Sequence, residues 1–286
     1  MPLFLLRYAE IGLKSERVRR RFIKTLIENI ENVFLSTGIE CIISSDRGRI
    51  YVLSDRAVES KDIVSRTFGI ASFSEVTEAP VSLEELVSSV SNYASQLLKK
   101  GCTFAVRARR SGGQKYTSME LAREAGSRIM QDHPALELKV SLDDPEVEIF
   151  VEARDKAAYI YGGSEEGPGG LPMGTQGKVA CLVEKSDDIV IPWMMMRRGC
   201  SVIVGSSPDA DMKPIVKWNP AIEIVHIEGM EQLLSLAAQN QCSGIALNHE
   251  KLIQTGSMAE KSGFAFFYPT SGMTAGELQA LLARIR

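Results

Sequence analysis

The residues whose types and spacing point to chemistry in this 286-residue chain are cations. Arg17, Arg19, Arg20, Arg21 and Lys24 fall within two turns of a helical pattern, with Lys14 just before them. Arg107, Arg109, Arg110 and Lys115 surround Gly112-Gly113. Clusters of this kind are either a solvated face or a grip on phosphate groups. The chain carries 33 Lys/Arg against 36 Asp/Glu, a net charge of −3, which excludes a globally basic nucleic-acid binder. The balance is uneven: residues 1–60 hold ten Lys/Arg against eight Asp/Glu, and residues 163–286 hold ten against thirteen. Charge is screened within about 10 Å at 0.1 M salt, so local basic patches suffice to hold a polyanion on an acidic protein. Tyr116, beside Lys115, offers a face on which a base can stack.

Other chemistry is sparse. Cys41, Cys102, Cys181, Cys200 and Cys242 are odd in number and contain no C-x-x-C pair. They fit neither a disulfide framework nor a zinc site and read as small buried hydrophobes in a reducing, cytoplasmic setting. Among the three histidines, His133 reads as a helix-end residue and His226 as strand filler, while His249 with Glu250 is a candidate acid/base pair. No metal site is expected. Asp187 and Asp188 read as acids at a helix N-terminus. No apolar run reaches the roughly 18–20 residues of a membrane span, and the apolar start at 1–7 lacks the basic n-region of a signal peptide.

Three segments must position these residues. Residues 1–78 read β-α-β-β-α-β: a strand at 3–8, a helix at 16–35 ended by Gly38, strands at 39–44 and 49–53 around Asp46-Arg47-Gly48, a helix at 58–67 and a strand at 70–77. That order is the split β-α-β pattern of ferredoxin-like domains. Residues 79–162 read α-β-α-β-β-β. Ser82 and Glu85 suggest a capping box, a helix runs to about residue 100, and a strand over 102–108 precedes a helix over 118–131. Residues 163–177, rich in glycine and proline, read as a linker or irregular loop. Beyond it, residues 178–286 alternate strands (178–183, 201–205, 222–227, 243–247) with helices (189–198, 230–240, 275–285). This pattern predicts a parallel sheet covered on both faces.

Specific strings carry a resemblance. Arg7-Tyr8-Ala9-Glu10-Ile11-Gly12-Leu13-Lys14, the string from Gly167-Pro168-Gly169-Gly170 to Gly177-Lys178, and Met194-Met195-Met196-Arg197-Arg198-Gly199 together resemble the tRNA 4-thiouridine synthetase (ThiI) family across most of the chain. The resemblance implies an N-terminal ferredoxin-like domain, a THUMP domain and a PP-loop ATP domain of the adenine-nucleotide α-hydrolase type. It also implies ATP as cofactor, tRNA as partner and a persulfide cysteine that delivers sulfur, in a family tied to thiamine synthesis as well.

The match breaks at the phosphate loop. The family's S-G-G-x-D-S aligns with Val183-Glu184-Lys185-Ser186-Asp187-Asp188, where only Asp187 is kept. The resemblance implies that Leu182, Val183, Asp187 and Gln254 are what remains of a nucleotide site. Neither Cys200 nor Cys242 has the context of the persulfide cysteine, so no catalytic residue is assigned. The truncated third segment therefore reads as a degenerate PP-loop domain that uses no cofactor, or ATP if the loop retains binding. Three functions stay open: a non-catalytic tRNA-binding protein, an active ATP-dependent tRNA sulfurtransferase, and a scaffold that has lost RNA. A separate sulfurtransferase or a second copy of the chain is a candidate partner, and no membrane is expected.

Overall fold

The computed structural model describes residues 1–255, 258 and 261–286. In chain order its elements are β1 (Leu3–Arg7), α1 (Glu16–Thr37), β2 (Cys41–Asp46), β3 (Arg49–Ser54), α2 (Ala57–Ser65), β4 (Ser72–Ala79), α3 (Leu83–Ala94), β5 (Thr103–Ser111), α4 (Ser118–Asp132), β6 (Lys139–Val140), β7 (Val147–Arg154), β8 (Ala158–Tyr161) and β9 (Glu165–Glu166). Then follow β10 (Lys178–Val183), α5 (Val190–Arg197), β11 (Ser201–Ser206), α6 (Lys213–Val216), β12 (Glu223–His226), α7 (Met230–Gln239), β13 (Gly244–Ala246), α8 (Leu252–Ser262), β14 (Ala265–Phe267) and α9 (Ala275–Ile285). The chain divides into two compact units, one of Met1–Leu6, Tyr51–Ala57 and Phe73–Glu165, the other of Arg7–Ile50, Val58–Ser72 and Glu166–Arg286.

The first residues give the expected β-α-β-β-α-β order. Phe22, Leu26, Ile30 and Phe34 recur every four residues of α1 and are its buried stripe, as helical periodicity requires. Gly38 ends the helix at φ +67°, a left-handed C-cap that its missing Cβ permits. Arg47 and Gly48, both at positive φ, turn β2 back into β3.

In the first unit the strands β4, β8, β7, β5 and β6 lie side by side in that order. β5 and β7 run parallel from Phe104 opposite Val147 to Ser111 opposite Arg154. Helices α3 and α4 cover one face of this sheet, where Leu86, Val90, Leu121 and Ile129 meet Phe104, Ile149 and Val151. The opposite face is aromatic: Tyr51 stacks on Tyr159 at 4.7 Å and Phe150 on Tyr161 at 5.3 Å between ring centroids. Among these rings lies a buried ion pair, Arg154 Nη2 to Glu152 Oε1 at 2.6 Å, reinforced by Arg154 Nε at 3.0 Å. The two residues are 5% and 4% exposed.

The capping box expected at Ser82 does not form. The Ser82 hydroxyl donates to the Glu85 carboxylate, and no side chain caps the α3 backbone. The boxes that do form are Thr117 with Glu120 on α4 and Thr274 with Glu277 on α9. α3 also stops at Ala94, short of residue 100.

The second unit holds a five-stranded parallel sheet in the order β12-β11-β10-β13-β14. Its central strand β10 is buried on both faces: Val179, Cys181 and Val183 pack with α5 and α9, and Ala180 and Leu182 pack with α7. That is why this stretch reads as an unbroken apolar run. Phe68 joins the first of these cores, with its ring centroid 5.5 Å from Trp193 and 5.4 Å from Trp218.

The glycine-rich stretch is a bonded strap rather than a loose linker. Gly167 N–H donates to Ala71 O at 2.9 Å and Gly169 N–H to Ile70 O at 2.8 Å, and Leu171 N–H donates to Arg197 O at 3.0 Å. A Cβ on Gly167 would collide with the Ile70 carbonyl, and one on Gly170, at φ +76°, with the Arg197 carbonyl. The glycines here serve close backbone approach, not flexibility.

Truncating Glu152 to alanine removes the carboxylate that pairs with the buried Arg154 guanidinium. The expected loss is about 3–5 kcal/mol, the usual result of breaking a buried pair on one side. Urea unfolding of the full chain measures it, and a loss under about 1 kcal/mol would show that the pair is dispensable.

Candidate functional site

In a doubly wound sheet the ligand crevice lies outside the carboxyl ends of the strands, where the strand order reverses. Here the order runs outward from β10 in both directions, so the switch point lies between β10 and β13. β10 ends at Val183 and passes through Glu184 and Lys185 into a 3-10 turn, Ser186–Ile189, that opens α5.

That turn is filled by its own side chains. Asp188 is 5% exposed. Its Oδ2 accepts the backbone N–H groups of Glu184 at 3.1 Å and Lys185 at 3.0 Å, and its Oδ1 accepts Asn248 Nδ2, from the loop after β13, at 2.7 Å. The flanking charges pair too: Lys251 with Glu184 at 2.9 Å, Arg286 with Asp187 at 2.6 Å, and Lys185 with Glu250 at 3.6 Å. No residue from 183 to 188 has positive φ, so the backbone makes no left-handed nest for an anion. Asp188 is thus more than an acid in the first turn of a helix: it is the internal anion of the strand–helix turn.

The other residues expected to remain from a nucleotide site do not converge. Leu182 and Val183 pack into the two cores on either side of the sheet. Asp187 is exposed and paired with Arg286, and Gln254 is exposed on α8. The His249–Glu250 pair does not form either. His249 Nδ1 lies 3.0 Å from Thr270 Oγ1, while Glu250 turns to Lys185. Helix α8 and strand β14 were absent from the sequence reading, because Leu252 and Ile253 point outward and blur the helical pattern.

None of the cysteines whose titration is perturbed favours a thiolate. Burial pushes the Cys181 thiol well up, and the neighbouring Cys200 and Cys242 push it further. Burial also raises Cys200, Cys242 and Cys41. Cys41 and Cys102 are half-buried rather than buried. Among the described residues no group of three or more His, Cys, Asp or Glu is placed to hold a metal ion, and no helix is long and apolar enough to cross a membrane.

The basic clusters differ in how far they are already spent. On α1, Arg17, Arg20, Arg21 and Lys24 are exposed and Arg19 is half-buried, with exposed Lys14 ahead of the helix. Arg20 pairs with Glu16, Lys24 lies 3.6 Å from Glu28, and the Arg21 guanidinium sits 5.3 Å from the centre of the Phe22 ring. Lys14, Arg17 and Arg19 have no carboxylate partner among the described residues. In the other unit, Arg107 is held by Glu148 at 2.7 Å and by Leu142 O at 2.6 Å, and Arg110 donates to Gly112 O at 2.8 Å and Gln114 O at 3.1 Å. Arg109 and Lys115 are exposed and unpaired among the described residues. Tyr116 offers no stacking face. It is buried, its hydroxyl donates to Val81 O at 2.9 Å, and burial raises its pKa.

Residues 3–74 match the ThiI ferredoxin-like domain family and residues 81–162 the THUMP domain family. The probable tRNA sulfurtransferase of Sulfurisphaera tokodaii is 33% identical over 276 residues, which are 91% of this chain and 72% of that protein. This chain belongs to the tRNA sulfurtransferase family. A Methanobrevibacter smithii member is 37% identical over 203 residues, 69% of this chain and 51% of that protein. The chain thus spans about half the length of such relatives. Two solved structures share the fold. PH1313 from Pyrococcus horikoshii superposes with a TM-score of 0.85 at 24% identity, covering 100% of this chain and 99% of that one. A 4-thiouridine synthetase crystallised with RNA and bound ATP gives 0.76 at 20%, covering 100% and 85%.

Within this family member, replacing Asp188 by alanine strands two backbone donors and the Asn248 amide. The expected loss of stability is about 1–3 kcal/mol, read from the midpoint of urea unfolding at unchanged m-value. No loss would mean that water satisfies all three groups.

Proposed function

We propose that this tRNA sulfurtransferase family member binds tRNA through its ferredoxin-like and THUMP domains, and that its parallel-sheet domain does not adenylate with ATP. The observation that carries the second half is the Asp188 carboxylate seated on the Glu184 and Lys185 N–H groups. A phosphate at this turn needs those donors. It would also meet a like charge at about 4 Å, a repulsion of roughly 4 kcal/mol at an effective dielectric constant of 20. Side chains at Glu184 and Lys185 stand where the family pattern has glycine, so close approach of phosphate oxygens is blocked as well. The perturbed cysteines, whose thiols are held protonated by burial, add no sulfur-carrying nucleophile.

Support for the first half comes from the ferredoxin-like and THUMP matches, from the RNA carried by the 4-thiouridine synthetase of the same fold, and from the unspent cations. Lys14, Arg17 and Arg19 on one unit, and Arg109 and Lys115 on the other, have no carboxylate partner among the described residues. Arg20, Arg21 and Lys24 extend the first patch along exposed faces of α1, while Arg107 and Arg110 orient the strand end that carries Arg109. Contacts of this type read the phosphate backbone and fix position without reading bases. The acceptor end of tRNA is the docking target proposed here.

The test combines calorimetry with ATP and gel shift with tRNA on one preparation of the full chain. ATP should give no saturable heat, and tRNA should bind at low salt with affinity falling by roughly 0.7–0.9 log units per phosphate contact for each tenfold rise in salt. Reversing Arg17, Arg20 and Lys24 to glutamate changes only exposed positions. It should weaken tRNA binding by at least about tenfold and flatten the salt slope. Saturable ATP binding would restore the active-enzyme reading, and unchanged tRNA affinity in the triple variant would favour the scaffold.

A further inference from the structure

A second cationic site lies away from both clusters. Arg66, just after α2, Lys217, just after α6, and Arg284 and Arg286 at the end of α9 line one cavity of about 580 Å³, with Trp218 in its wall. Sites for small molecules fall in this size range. The walls are fixed before any ligand arrives. Arg66 Nη1 donates to Lys217 O at 2.8 Å, and the Trp218 indole N–H donates to Ile285 O at 3.0 Å. Arg284 donates to Gly167 O at 2.9 Å, with its guanidinium 5.9 Å from the centre of the Trp193 ring.

The charges in this cavity are not all balanced. Arg66 is paired with Asp62, and Arg286 with Asp187. Lys217 and Arg284 have no carboxylate partner among the described residues, and the one other acid in the lining is Glu166. An ammonium group and a guanidinium with spare donors, lining one cavity, suit an oxyanion with several acceptor oxygens. We propose that this cavity binds a phosphate group borne on a nucleotide, free or within an RNA strand, with Lys217 and Arg284 as its charge partners. None of the residues involved belongs to the α1 or β5 clusters or to the turn around Asp188 except Arg286. The inference therefore does not rest on the RNA-docking reading.

The test titrates the full chain with pyrophosphate and with UMP, and runs a gel shift with tRNA, for the parent and for Lys217→Glu. Lys217 is exposed, so the variant should keep the parent's Tm. The same reversal at Lys213, on α6 outside the cavity, controls for net charge. Loss of one charge-assisted contact should weaken binding roughly tenfold or more, and Lys213→Glu should not. A loss confined to the small probes assigns the cavity to a free nucleotide, and a loss in the tRNA arm assigns it to an RNA phosphate. No loss in either arm, or an equal loss in Lys213→Glu, overturns the proposal. The α1 triple variant leaves Lys217 intact, so failure there and failure here are separately visible.

Discussion

A carboxylate that is almost fully buried is costly unless donors surround it. At the end of β10 this constraint is met by the two backbone N–H groups of the turn and by an amide from the loop after β13. The same three donors close the switch-point crevice and stitch the two halves of the parallel sheet together. Once they serve Asp188, they are not available to an outside anion. A strand–turn–helix with glycines keeps its N–H groups open and depends on a ligand to satisfy them. This turn is satisfied from within.

The neighbouring features follow the same logic. Lys251, Arg286 and Lys185 each answer an acid of the turn or its rim, so the crevice mouth carries paired charges rather than a field that draws phosphate. The strap behind α5 is equally committed. Its glycines allow backbone to touch the carbonyls of Ile70 and Arg197, and the Phe68, Trp193 and Trp218 rings fill the space beneath. Residues 58–72 are thereby part of the packing of the parallel-sheet unit. That compact unit takes in Arg7–Ile50 and Val58–Ser72 together with Glu166–Arg286.

Much of the fold was legible because local pattern and burial agree. β10 and α9 were read to the residue, the first from a continuous apolar run and the second from a periodic stripe that begins after Thr274. Misreadings came where the choice among partners, near or distant in the chain, decides. Ser82 caps nothing because its hydroxyl goes to Glu85, a choice that spacing alone does not reveal. Tyr116 beside Lys115 resembles an exposed ring until the fold buries it against Val81. Arg107 and Arg109 are indistinguishable as sequence. The parallel pairing of β5 with β7 gives Glu148 to the first and leaves the second free. At the turn, the loss of glycine was visible, but the identity of the replacement anion was not. An acid two residues after Ser186 looks like an ordinary helix-start residue until Asn248 arrives from the loop after β13.

Surface cations and a strand–helix turn bind phosphate by different physics. Surface cations act through fields that decay over about 10 Å, and each contributes to affinity independently of the rest of the fold. They need no preorganised backbone, so the exposure of Arg17 and Lys14 does not depend on the turn after β10. Phosphate capture at a strand–helix turn is different: it requires specific N–H vectors, absent side chains and an uncompensated positive end. In the turn after β10 the Glu184 and Lys185 N–H groups are already taken by Asp188. The first kind of binding degrades gradually with each cation lost, whereas the second fails with a single turn.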